Sequence, residues 1–221
     1  KFKQQPVEWD KIGMLLEAAR EAPSAGNLQT WRFIVVTDEQ KRDALAHVCA
    51  EQFWIGTAPV IIVVCSEPRK MERQFGPKRA DMFASQSCAA AIENILLMAQ
   101  DQGLGACWIG TFEEYDVKNI CSIPTTIRVE ALIPIGYADE TPYIPVKYTL
   151  EDIVFLNSWQ DKVKYPNLAL DNWGAITANY CKKSKESCKT LFEKGTAKLK
   201  EFHERMRNKV KEKISEKKSK N

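Results

Sequence analysis

Hydrophobic and polar positions along the chain alternate between two periods, and the switches between them mark the elements. Trp9, Ile12, Leu15, Leu16 and Ala19 recur at helical spacing, predicting a helix over 7–21 that Pro23 cannot continue. Residues 32–37 predict a strand, and Thr37-Asp38-Glu39-Gln40 is a capping-box pattern opening a helix to about Ala50. Residues 58–65 are almost wholly apolar and β-branched, as in a strand covered on both faces. Residues 70–78 are polar, and Gly76-Pro77 marks a loop. Residues 79–102 predict a long helix whose inner stripe is Ala84, Cys88, Ala91, Ile92, Ile95 and Ala99, with Gly103 placed to end it. A short strand over 106–110, a helix from a capping box at Thr111 to about Cys121, and a strand over 128–137 follow. Residues 138–148 read as extended loop. Strands separated by helices give an α/β or α+β layered domain.

Beyond residue 178 the composition changes. Residues 181–221 hold 15 Lys and Arg against 6 Asp and Glu, whereas residues 1–180 hold 17 against 23. Leu199, Phe202, Met206, Val210 and Ile214 fall at steps of three and four, which predicts an amphipathic helix in the tail. Two parts are expected, 1–178 and 179–221. The tail's interleaved glutamates and apolar stripe favour packing on a partner subunit or the body over contact with nucleic acid or an anionic membrane.

At 221 residues the chain can bury one sizeable core. No apolar run reaches the length of a membrane span, and the segment from Lys1 to Lys11 is too polar for a secretory signal, so the expected location is cytoplasmic. The seven cysteines are scattered, and Cys49, Cys65, Cys88, Cys107 and Cys121 lie among apolar residues, as small buried hydrophobes do. Cys181 and Cys188 would lie about 10 Å apart on one continuous helix, too far for a bridge. His47 and His203 lack neighbouring ligands at metal spacing, so no metal site is expected.

The chemistry concentrates in residues 21–33. Pro23, Ser24, Ala25, Gly26, Asn27 and Gln29 form a loop of small and polar residues between a helix and a strand. Small residues let backbone approach a bound group, and the polar side chains suit the edge of a flat heterocycle. By themselves these residues read as a turn, since they are common turn residues.

Three stretches together resemble the nitroreductase family of FMN-dependent NAD(P)H oxidoreductases. The first is Pro23-Ser24-Ala25-Gly26-Asn27-Leu28-Gln29-Thr30-Trp31, similar to the family's Pro-Ser-x-x-Asn-x-Gln-Pro-Trp with Thr30 in place of proline. The second runs from Gly103 to Gly110, and the third is Ile133-Pro134-Ile135-Gly136-Tyr137 followed by Lys147 to Ile153. The resemblance covers roughly residues 1–160. It implies an α+β fold, a three-layer α/β/α sandwich around a mainly antiparallel sheet, here followed by a C-terminal helical extension. It also implies FMN as cofactor, NADH or NADPH as hydride donor, and a homodimer with FMN in clefts between subunits. Pro23, Ser24, Ala25, Asn27, Gln29, Ile109 and Gly110 are the implied contacts of the ring, and Lys147 stands where the family has a phosphate-binding Arg. Thr111 reads as a helix cap, and Trp108 as either a cavity wall or a core aromatic.

The family's opening Arg-x-Ser-x-Arg/Lys motif would fall before Lys1, since Phe2 matches the aromatic that follows it. No catalytic side chain is expected, because the flavin performs the redox step. The acceptor expected is small: a nitroaromatic, a quinone or a flavin. The long lids of the flavin-fragmenting and dehalogenating members are not evident between Lys70 and Lys78. The rival expectation is a flavin-binding interaction or sensing module that uses the basic tail and does not turn over.

Overall fold

The computed structural model describes residues 1–143 and 145–162. The chain divides after Tyr143 into two units, the second described over 145–162. The compositional boundary at 178/179, the basic amphipathic tail and the pair Cys181 and Cys188 lie outside the described residues.

The first unit is built on four strands in the order β1-β2-β4-β3, with every pairing antiparallel. These are β1 (Trp31–Val36), β2 (Val60–Ser66), β3 (Gly105–Ala106) and β4 (Arg128–Gly136). All seven residues of β2 are buried, as its unbroken apolar run predicts for a central strand. Each large aliphatic side chain buried there contributes about 1.5–3 kcal/mol.

One face of the sheet carries α1 (Trp9–Arg20) and α4 (Pro77–Asp101), which pack Ile12, Leu15, Ile92 and Ile95 against Ile62, Val64 and Ile133. The other carries α2 (Glu39–Val48) and α5 (Glu114–Cys121), with Leu45 and Val117 among Ile61, Val63 and Leu132. The result is the three-layer α+β sandwich expected. The stripe predicted for α4 is fully buried at Ala84, Cys88, Ala91, Ile92, Ile95 and Ala99. By length and composition α4 could cross a bilayer, but eight of its residues are buried within the protein. Gly103 (φ 72°) ends it in a left-handed turn, with Leu104 N–H donating to the Ala99 carbonyl at 2.8 Å and Gly103 N–H to that of Gln100 at 3.2 Å.

Four expectations are corrected. The loop marked at Gly76-Pro77 shrinks to Gly76 (φ 77°) alone, because α3 (Pro68–Phe75), starting at Pro68 and turning Met71 inward, fills most of the polar stretch before it and α4 begins at Pro77. Asp38, not Thr37, caps α2, its carboxylate accepting the Lys41 N–H at 2.9 Å. Thr111 caps nothing: α5 begins at Glu114, and Thr111 is exposed. Trp9 is not on the packed face of α1; it is 67% exposed.

The strand expected over 106–110 is also interrupted. Gly105 and Ala106 pair with Gly136 and Ile135, and Ile109 bridges Leu132 in the same register. Cys107 N–H donates to the Pro134 carbonyl at 3.3 Å, but Pro134 has no N–H to return. That missing donor breaks the ladder between its two ends.

The buried thiols are inert. Burial pushes Cys49 up to about 11 and Cys65 and Cys88 up to about 12, so none is a thiolate near neutrality. Cys107 and Cys121 are half-buried and raised for the same reason.

Candidate functional site

The loop from Pro23 to Thr30 is tightly wound. A single 3-10 turn covers Ala25–Asn27, and Gly26, Asn27 and Gln29 all have left-handed backbone, with φ of 58°, 55° and 48°. Glycine and asparagine tolerate that region; glutamine does so at a cost. The strain is held by local bonds. Ser24 Oγ accepts the Gln29 N–H at 3.1 Å, the Ser24 carbonyl accepts the Asn27 N–H at 2.9 Å, and the Ala25 carbonyl accepts that of Leu28 at 3.2 Å. Ala25 N–H donates to Ser87 Oγ at 3.3 Å, and the Ser87 hydroxyl donates to the Phe83 carbonyl at 2.7 Å, tying the loop to α4. On the other side Gly26 abuts α3: a Cβ there would sit 3.1 Å from Phe75 Cζ and 3.2 Å from Gln74 Nε2.

These bonds correct one detail of the sequence reading. The N–H groups of Ala25, Asn27, Leu28 and Gln29 are used internally. What the loop offers outward is the pair of exposed carboxamides of Asn27 and Gln29, already linked by Gln29 Nε2 donating to Asn27 Oδ1 at 3.1 Å. Pro23 is exposed, and Ser24 and Ala25 are half-buried.

Ile109 and Gly110 differ in what they can offer. Ile109 is buried, and both its backbone groups are committed: its N–H donates to the Leu132 carbonyl and its carbonyl accepts the Leu132 N–H, each at 3.0 Å. In an antiparallel ladder the next residue turns its N–H and carbonyl away from the partner strand. That residue is Gly110, which is exposed and where a Cβ would meet nothing within 4 Å. Gly110 therefore presents open backbone on the outer edge of the sheet. Trp108 beside it is 41% exposed, closer to a wall than to a core aromatic.

The loop leads into β1, whereas Ile109 lies beyond β4, so β2 and β4 intervene. Three strand spacings put the two pieces about 14 Å apart across the sheet. Lys147 belongs to the second unit, where it is exposed and lies two residues before Thr149. Thr149 and Asp152 form a capping box that opens α6 (Leu150–Ile153).

Two features at the loop escaped the sequence reading. Arg32 Nη1 donates to the Trp31 and Gln29 carbonyls at 2.7 and 3.4 Å, while its Nη2 meets Glu67 Oε2 at 2.9 Å; Lys70 Nζ reaches the same oxygen at 3.2 Å. Thr30 is fully buried, and its Oγ1 has no hydrogen-bond partner among the described residues. The signal for the first lay in Pro68, whose place at a helix start would have put Lys70 on α3. Nothing in the sequence pattern marks the second.

Among the described residues no group of three or more His, Cys, Asp or Glu is arranged to hold a metal ion.

Comparison with known proteins matches the model of the nitroreductase family to residues 1–57 and 46–137. An NADH dehydrogenase of Thermus thermophilus is 28% identical over 181 residues, covering 70% of this chain and 88% of its own. An NADPH-flavin oxidoreductase of Vibrio harveyi is 24% identical, covering 73% and 70%. Among solved structures, an FMN-dependent nitroreductase of Clostridium difficile R20291 superposes with a TM-score of 0.62 at 28% identity, over 72% of this chain and 93% of that one. With the family model spanning most of the described sandwich, this chain belongs to the nitroreductase family and is an oxidoreductase enzyme.

Proposed function

We propose that two copies of the chain bind FMN in clefts between them and carry out two-electron reduction of a small acceptor, a nitroaromatic, a quinone or a flavin, at the expense of NADH or NADPH. FMN, when bound, would supply hydride-transfer chemistry to this site. The protein's part is to hold and shape.

The observation that carries this reading is the pairing of a strained loop bearing exposed carboxamides with an open backbone edge at Gly110. Asn27 and Gln29 can each donate to and accept from the polar edge of a heterocycle. Gly110 can bond a ring lying against the sheet edge, and its missing side chain leaves room for that approach. Ile109, with both backbone groups committed, contributes packing. Lys147 would pair with the phosphate as a point charge.

The separation of loop and Gly110 within one chain supports the dimer. A ring touching both needs the loop of one copy and Gly110 of another. Exposed Met82 and Leu97 on α4, 49% and 62% accessible, are apolar surface that such an association would cover.

The test is anaerobic. The purified protein carries a yellow flavin band that bleaches on addition of NADH or NADPH and returns on addition of a quinone. A yellow protein inert to both nucleotides would overturn the proposed reaction.

A further inference from the structure

The corner between α3 and α4 carries a charge that the fold does not explain. Residues 68–79 contain Arg69, Lys70, Arg73, Lys78 and Arg79 against one carboxylate, Glu72, although the chain up to residue 180 is net acidic. Lys70 pairs with Glu67. Arg69, Arg73, Lys78 and Arg79 are exposed and form no ion pair among the described residues. Lys78 and Arg79 sit in the first turn of α4, where no acidic residue accompanies them. Cations at that end oppose the helix dipole, so they weaken the helix start and serve some other end. Glu67 and Asp81 flank the stretch, and Arg32 offsets the first through a 2.9 Å bond.

The corner is also next to the loop. Gly26 packs on Gln74 and Phe75, so Arg73 and Lys70 stand beside residues that contact Asn27's own turn. A dense cationic surface bordering a nucleotide site suits a phosphate monoester, which carries close to two negative charges.

The geometry points to this α3–α4 corner as the docking site for the phosphate-bearing end of the hydride donor, which makes the enzyme prefer NADPH, with its 2′-phosphate, to NADH. The inference rests on the flavin site proposed above, and it goes beyond the family likeness, whose members bear names of both nucleotides.

The experiment measures binding separately from reduction. The flavin-loaded protein is titrated calorimetrically with 2′,5′-ADP and with 5′-AMP, then reduced anaerobically with NADPH and NADH. The expected result is binding of 2′,5′-ADP at least about tenfold tighter, the ratio that one charge-assisted hydrogen bond supports. NADPH should reduce the flavin at correspondingly lower concentration. The combined variant Arg69→Gln, Arg73→Gln, Lys78→Gln, Arg79→Gln should abolish the preference while keeping its flavin and its response to NADH. Lys41→Gln, an exposed change on α2, should leave the preference intact. Equal binding of the two nucleotides, or a preference that survives the combined variant, overturns the inference. A preference for 2′,5′-ADP without flavin reduction by either nucleotide supports the phosphate site and overturns the proposed reaction instead.

Discussion

Thr30→Val isolates the energetics of the loop's base. Thr30 is fully buried where the loop enters β1, and its hydroxyl oxygen is the one buried side-chain N or O without a hydrogen-bond partner among the described residues. Its carbonyl accepts the Glu67 N–H at 2.9 Å, a bond that the substitution leaves alone. Valine keeps the branched shape, so no cavity opens and the side chain's rotamer preference is preserved. A buried hydroxyl left unpaired costs about 1–3 kcal/mol, and Thr30→Val should recover about 1–2 kcal/mol of it. In a chain of this size that raises Tm by about 2–4 °C for each kcal/mol. Urea unfolding should show a higher midpoint with an unchanged slope, since the exposed surface does not change. Thr30→Ser is the contrast: it keeps the orphan hydroxyl, removes a methyl and should cost about 1 kcal/mol. Loss of more than about 1 kcal/mol in Thr30→Val would refute the reasoning, because the hydroxyl would then be satisfied in solution, as by a water held in a polar niche.

Gly26→Ala forces a side chain into left-handed backbone and to 3.1 Å from Phe75; it should cost about 1–2 kcal/mol from the backbone alone and lower the flavin content of the purified protein, read from its absorbance ratio. Lys147→Glu should weaken FMN retention in ultrafiltration assays at low salt, and unchanged affinity would remove Lys147 from the site. For Glu114, burial raises the carboxyl, but bonds from Lys118 and from the Val129 N–H outweigh it and hold it below its ordinary 4.5. Its contribution to stability is therefore present above about pH 4.5 and lost as pH falls through the depressed value. Glu114→Gln should flatten the decline in urea midpoint below that pH; an identical acid slope would show that the α5–β4 tie contributes nothing.

What the sequence revealed divides along physical lines. The α4 stripe and the buried run of β2 were legible because a period or its absence reports directly on burial. The loop was legible as a chemical unit because glycine, asparagine and proline report on backbone. The helix α3 was hidden because half of its residues face solvent, and charged side chains next to Gly76-Pro77 look the same in a loop. Thr111 misled because a capping-box pattern is short and recurs by chance, whereas the real start of α5 has no side-chain cap. The break at Cys107 needed the pairing register, since Pro134 interrupts a neighbouring strand and not its own. The contrast between Ile109 and Gly110 is likewise a property of which residue faces β4. The 14 Å between loop and Gly110 follows from strand order, which no local pattern encodes.

The central claim is that one flavin is held by the loop of one copy and the sheet edge of another. A crystal structure of the FMN-loaded protein tests it most directly. The account predicts a dimer in which the ring contacts Asn27 or Gln29 from one copy and the Gly110 backbone from its partner. A ring bound within a single copy, or in contact with neither piece, would contradict it.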